Sequence, residues 1–292
     1  LLQAQRDLWE PLWAASGEPP TNGLNPHGFT NRCSPLPLLT PDDIRRAAAG
    51  FKVNTAKGPG GFHPKHYALI QDQGLAVLST LFQACEQTGL FPQQGALRTV
   101  ALLDKPTGGL RPIGIFHSLY RLWVRCRAPL CRKWELEHER PYWAAGSGRG
   151  PIDVVWKHAV QAQSGIGLGK DTVSTLWDLT KFYACFIHSK LILAARKHNF
   201  PEALLRVSLN LYRAPRFLSL MKQAATPLWP TRGIVAGCSA ATTFVKVYMI
   251  EEMDRLTTMH PSIAWDAYLD DIQLTSAATS RVAVELLRPA PE

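Results

Sequence analysis

An α+β fold is predicted for this chain. Three observations carry that prediction. Apolar residues recur three and four apart through much of the first half, and short apolar or alternating runs bounded by turn signals follow in the second. No internal repeat or low-complexity tract interrupts them. The order is helices first, then strand–helix–helix–strand–strand.

Residues 1–40 are rich in Pro, Gly and Asn and read as an irregular arm. "TPDDIRRAAAGF" (40–51) follows helix grammar, with Thr40 as cap, Pro41 in the first position and acids in the first turn. "KGPGGFHP" (57–64) is a loop, and "KHYALIQDQGLAVLSTLFQACEQTG" (65–89) has the spacing of one or two helices. "LRTVALLDK" (97–105) and "LRPIGIF" (110–116) read as a strand and its return across the turn "PTGG". A long amphipathic helix runs from Leu119 to about Glu139. "AAGSGRG" (144–150) is a loop, and "PIDVVWKHAVQA" (151–162) is a helix with Pro at its start. "DTVSTLWDL" (171–179) reads as a buried strand, with helices at about 186–198 and 201–213. "RGIVAGCSAATTFVKVYMIEEMDRL" (232–256) is a small-residue loop feeding a long helix. "SIAWDAYLDDIQLTS" (262–276) gives two short strands hinged at paired acids.

With 292 residues, 46% hydrophobic and 19% charged, the chain is globular rather than disordered. It opens on Leu1, which reads as a fragment. No secretory signal and no run long enough to span a bilayer is found, so a soluble intracellular protein of nucleus or cytoplasm, with no membrane partner, is expected. Thirty-two Lys and Arg against 23 Asp and Glu leave a net charge of +9. Between Arg98 and Lys133 stand eight basic residues and one acid, Asp104; eight minus one is +7, most of the excess. Phe116, Tyr120 and Trp123 run through this stretch. A folded basic surface of this kind suits a polyanion such as nucleic acid. The six cysteines form no C-x-x-C pair, and Cys126, Cys131 and His138 lack a fourth partner at zinc spacing; reduced, buried thiols are expected.

Asp270 and Asp271, in "AYLDDIQL", sit back to back between apolar runs. Alone they favour a hairpin turn over a metal site, and only the rest of the chain shifts that balance. Asp178 closes the apolar strand "VSTLW", where an acid is costly without a partner, although it also suits a helix N-cap. If that strand lies beside the 262–276 hairpin, the three acids meet and offer oxygen ligands to hard divalent cations. "SGIGLGKDT" (164–172) fails as a phosphate loop because Ser164 and Asp171 stand where Gly and Ser or Thr are needed. "GSGRG" lacks the context of a nucleophile elbow, and the histidines show no metal spacing.

Across about residues 55–280 the chain resembles the reverse transcriptases of retrotransposons without long terminal repeats and their group II intron and retron relatives. The ordered motifs are "GPGGFHPKHYALI", "LRTVALLDKPTGGLRPIGIFHSLYRL", "AAGSGRGPIDVVW", "WDLTKFYACFIHSKLI", "GIVAGCSAATTFVKVYM" and "AYLDDIQL". The resemblance implies the fingers and palm of a right-hand polymerase, with an antiparallel palm sheet flanked by helices. The expected organisation is an N-terminal arm over 1–55, fingers over 56–165 and palm over 166–292, without a thumb.

It also implies an RNA-directed DNA polymerase that adds deoxynucleotides to a DNA primer on an RNA template, using two magnesium ions for which manganese can substitute. Asp178, Asp270 and Asp271 become the metal-binding catalytic acids, with the Leu179 carbonyl as a further ligand. Lys105 and Arg111 fall where the fingers hairpin meets the incoming triphosphate, and both residue types bind phosphate. Tyr183 falls on the steric-gate position, where a ring beneath the sugar excludes a 2′-hydroxyl. Gly237 matches the glycine beside the nascent base pair, and Arg121 and Arg149 match contacts to template or primer phosphates. The chain departs from the family at Ala236, where Gln is usual, at Ala184, where an acid is common, and around Phe62, where the Pro-Gly loop lacks its acid. An RNA-dependent RNA polymerase shares the palm chemistry but generally carries Gly-Asp-Asp and a smaller or polar gate. A catalytically degenerate, nucleic-acid-binding palm is the reading from outside enzymology.

Overall fold

The first fourteen residues hold a helix where an arm was expected. In the computed structural model, which describes residues 1–14, 34–96, 98–106, 108–146, 149–221 and 223–278, helix α1 runs Leu2–Trp13. Pro11 lies inside it, and Trp9 and Trp13 stack with ring centroids 5.1 Å apart. The Pro, Gly and Asn content that suggested an arm falls mostly in residues 15–33, outside the described residues.

Helix α2 (Pro41–Ala49) starts on a reciprocal cap: Asp43 N–H donates to Thr40 Oγ1 at 3.1 Å and Thr40 N–H to Asp43 Oδ2 at 3.0 Å. A 3₁₀ turn (Pro64–Leu69) precedes α3 (Asp72–Thr88), which ends on Gly89 at φ +75°. Strands β1 (Arg98–Asp104) and β2 (Leu110–Phe116) form the expected hairpin. There follow α4 (Ser118–Glu137), α5 (Pro151–Gly167), β3 (Asp171–Asp178), α6 (Phe182–Cys185), α7 (His188–Lys197) and α8 (Glu202–Tyr212). Strands β4 (Arg216–Leu220) and β5 (Gln223–Ala224), helix α9 (Ala241–Met259) and the hairpin β6 (Ala264–Tyr268)–β7 (Asp271–Ala278) complete the order. This is an α+β chain. Among the described residues no helix is long and apolar enough to cross a membrane.

Contacts divide the chain into two units, each discontinuous in sequence, whereas contiguous domains were expected. The first comprises Leu1–Cys131 and Tyr183–Val247, the second Arg132–Phe182 and Tyr248–Glu292. In the first, a mixed sheet runs β2-β1-β4-β5, and β4 lies parallel to β1. Its buried face carries Val100, Leu102 and Leu218 against Trp9 and Trp13 of α1. Helix α8 is buried along most of its length, with Leu204, Leu205, Val207 and Leu209 fully enclosed. In the second unit an antiparallel sheet runs β3-β7-β6. The segment before α5 joins the β6 side, where Ala144 and Ala267 N–H groups bond the carbonyls of Ala267 and Tyr142 at 3.0 and 2.8 Å.

The structure departs from expectation at three further points. Strand β3 is an edge strand and not a buried one: Leu176 and Trp177 are 74% and 44% exposed. Its apolar run resembles a core strand because composition alone does not tell an edge from a centre. The basic stretch is also not all surface. Arg98 and Arg127 are buried, Arg127 in an ion pair with Glu86 at 2.6 Å, and Arg125 donates to the Gly50 carbonyl at 2.7 Å. Of the cysteines, Cys85, Cys126, Cys131 and Cys238 are free and buried, but Cys185 is exposed; Cys33 lies outside the described residues. Burial pushes the Cys85 and Cys126 thiols up to about 11 and about 12, so both are unreactive.

Candidate functional site

Strand β3 ends at Asp178 and strand β7 begins at Asp271, and the antiparallel register sets these two residues directly opposite each other. The β6–β7 hairpin closes with Tyr268 opposite Asp271, leaving Leu269 and Asp270 as its two-residue turn. Leu269 sits at φ +60°, in the left-handed region where a two-residue hairpin ordinarily uses Gly or Asn. For a leucine that conformation costs about 1–2 kcal/mol. The Leu179 N–H donates to the Asp270 carbonyl at 3.1 Å and ties the end of β3 to the turn. The three acids therefore converge on one end of the sheet.

Asp178 and Asp271 are exposed and Asp270 is half-buried, and no hydrogen bond or ion pair from a described residue reaches their carboxylates. Asp271 is held above the usual carboxylate range, first by partial burial and then by the like charges of Asp270 and Asp178. Such a set fits a hard divalent cation in ligand chemistry and in charge. The side chains as they stand are more open than a closed cage. Among the described residues no group of three or more His, Cys, Asp or Glu is gathered closely enough to hold a metal ion. The Leu179 carbonyl accepts the Phe182 N–H at 3.1 Å.

Period-two alternation carries this face inward from the acids. Ser174 and Thr275 share it, their hydroxyls 3.1 Å apart. Between those rows, on β6, lies Asp266, 7% exposed and bonded by Lys157 Nζ of α5 at 2.6 Å. Sequence reasoning missed Asp266. The available signal was its spacing, two residues before Tyr268 in a half-buried strand.

The other expected site residues belong to the first unit, except Arg149. Lys105 and Arg111 are exposed on the β1–β2 hairpin, where Arg111 pairs with Leu103, and neither side chain has a bonded partner among the described residues. Gly237, at φ +107°, is held against β2: the Gly114 N–H donates to Ala236 O at 2.7 Å, and a Cβ on Gly237 would lie 2.2 Å from Gly114 O. The backbone that requires a glycine here is that of Gly114, which accounts for the residue within the fold itself. Tyr183 is half-buried; its carbonyl accepts the Ile234 N–H at 2.8 Å, and its ring lies 6.4 Å from that of Phe186.

Arg121 donates to the Ala56 carbonyl and lies 5.7 Å from the Phe51 ring, so an internal contact already engages it. Arg149, in the second unit, donates to Trp143 O at 2.7 Å and pairs with Glu139. Ser147 and Gly148 of the same loop lie outside the described residues. No protein-family model matches the chain, and a search of curated proteins finds no relative.

Proposed function

We propose that this chain is the fingers and palm portion of an RNA-directed DNA polymerase of the retrotransposon type. One observation carries the reading: Asp178 and Asp271 are cross-strand partners, with Asp270 in the strained turn beside them. Like charges in direct cross-strand register are destabilising, so the cluster is retained at a cost to folding, as functional sites are. In this reading Asp178, Asp270 and Asp271 hold two magnesium ions, which when bound supply a lowered pKa at the primer 3′-hydroxyl and stabilise charge on the transferring phosphoryl group. Exposed Lys105 and Arg111 bind the triphosphate of the incoming deoxynucleotide, and Tyr183 excludes a 2′-hydroxyl. Template RNA and primer DNA are the polyanionic partners of the net positive charge.

The test is primer extension on an RNA template with magnesium. Asp178→Asn and Asp270→Asn are expected to lower incorporation by at least a thousandfold while leaving the fold intact by circular dichroism. Unchanged incorporation in either variant overturns the reading. A preference for ribonucleotides over deoxynucleotides assigns the chain instead to RNA-dependent RNA synthesis.

A second reading rests on the openness of the acid cluster and on Ala236. It is a catalytically degenerate palm that binds nucleic acid without turnover. Calorimetry separates the two: RNA binding without manganese binding favours the degenerate palm.

A further inference from the structure

We propose that Arg98 and Arg216 hold a single oxyanion inside the first unit, beneath α1. The two arginines are direct cross-strand partners where β1 and β4 run parallel, at the start of the face that carries Val100, Leu102 and Leu218. Their exposures are 0% and 1%. Two like charges opposed in register and removed from water are unfavourable on both counts, and a guanidinium does not escape by losing its proton.

The two arginines are satisfied unequally. Arg98 turns to the C-terminal end of α8 and donates to the carbonyls of Leu211, Tyr212 and Ala214, a placement that the negative end of a helix favours. Its Nε has no acceptor among the described residues. Arg216 has less. Trp13 of α1 covers the flat face of its guanidinium at 4.5 Å, while Nε and Nη2 are both buried without an acceptor among the described residues. Those two atoms form one edge of the guanidinium fork, the edge that takes a carboxylate or phosphate through two parallel hydrogen bonds. No Asp or Glu among the described residues pairs with either arginine. Their neighbourhood is cationic as well: His188 feels Arg213, Arg216 and Arg98, and burial first, then those charges, hold its imidazole down to about 4.

An oxyanion on the Arg216 edge, shared with Arg98 Nε, supplies the missing acceptors and cancels one of the two charges. A water molecule supplies acceptors only. Helix α1 closes the site, since Trp13 O accepts the Thr231 N–H at 2.8 Å and Leu12 O accepts Arg232 Nε at 2.7 Å. The inference is independent of the polymerase reading, because it uses none of the carboxylates.

Thermal unfolding of the whole chain tests it, with sodium phosphate, sodium acetate or sodium chloride added at matched ionic strength. A saturable rise in Tm with phosphate or acetate, absent with chloride, is expected. A phosphate response without an acetate response identifies a tetrahedral anion, and the converse a carboxylate. In Arg216→Met, which keeps the apolar stem and removes the fork, the anion response is expected to disappear while the Tm in chloride rises. If that variant does not fold, Arg216→Lys, which keeps the charge but not the fork, is expected to need at least tenfold more anion for half the shift. Equal Tm in all three salts for the wild-type chain overturns the proposal, and so does an undiminished response in a folded variant.

Discussion

At the scale of single residues, His188 gives the clearest pH dependence. It is buried, and its ring bonds the Gly233 carbonyl at 3.0 Å. Burial, ahead of neighbouring arginines, lowers its pKa from 6.5 to about 4. The folded chain therefore keeps a neutral imidazole while the unfolded chain takes up a proton. Stability from this group is complete above pH 6.5, falls as pH drops from 6.5 to about 4, and is level below that. The full loss is roughly 3 kcal/mol at about 1.4 kcal/mol per pH unit. Urea melts across that range are expected to show the acid limb in the wild-type chain and a flatter limb in His188→Gln. A limb of equal slope in both places the proton uptake elsewhere. The three acids near the hairpin were legible in the sequence because a carboxylate between apolar runs is costly wherever it falls. Arg98, Arg216 and Asp266 were not. Their meaning depends on burial, and Arg98 sat in a run of basic residues that reads as surface.

At the scale of elements, the contact between Gly237 and β2 carries the sharpest consequence. Its φ of +107° is strained for any side chain, and an added Cβ meets Gly114 O at 2.2 Å, a backbone atom that cannot turn away. Gly237→Ala is expected to cost roughly 2–4 kcal/mol, read as a lower urea midpoint at constant m. Gly167→Ala, where a Cβ meets nothing within 4 Å, is the control and is expected to be neutral or slightly stabilising. Equal midpoints for the two variants would show that the approach to Gly114 is not a constraint. Periodicity and turn chemistry located the β1–β2 and β6–β7 hairpins and most helices to within a few residues. They missed α1, whose Pro11 and neighbouring Pro-rich stretch read as breakers although two tryptophans anchor the helix. They also missed β4, whose five residues gain their identity from pairing with β1, more than a hundred positions earlier.

At the scale of the whole molecule, each unit is assembled from two separated stretches of chain. A boundary drawn along the sequence marks contiguous stretches, so a unit built from two separated ones leaves no mark in it. The α+β class was legible from the alternation of periods; the parallel β1–β4 pairing was not, because long-range register leaves no local mark. The central claim is that Asp178, Asp270 and Asp271 together bind a divalent cation. Manganese titration of the chain, followed by electron paramagnetic resonance with a deoxynucleoside triphosphate present, tests it most directly. Saturable manganese binding that magnesium displaces, and that Asp178→Asn and Asp271→Asn each weaken at least tenfold, is the predicted result. Binding that survives both substitutions unchanged, or no binding by the wild-type chain, would contradict it.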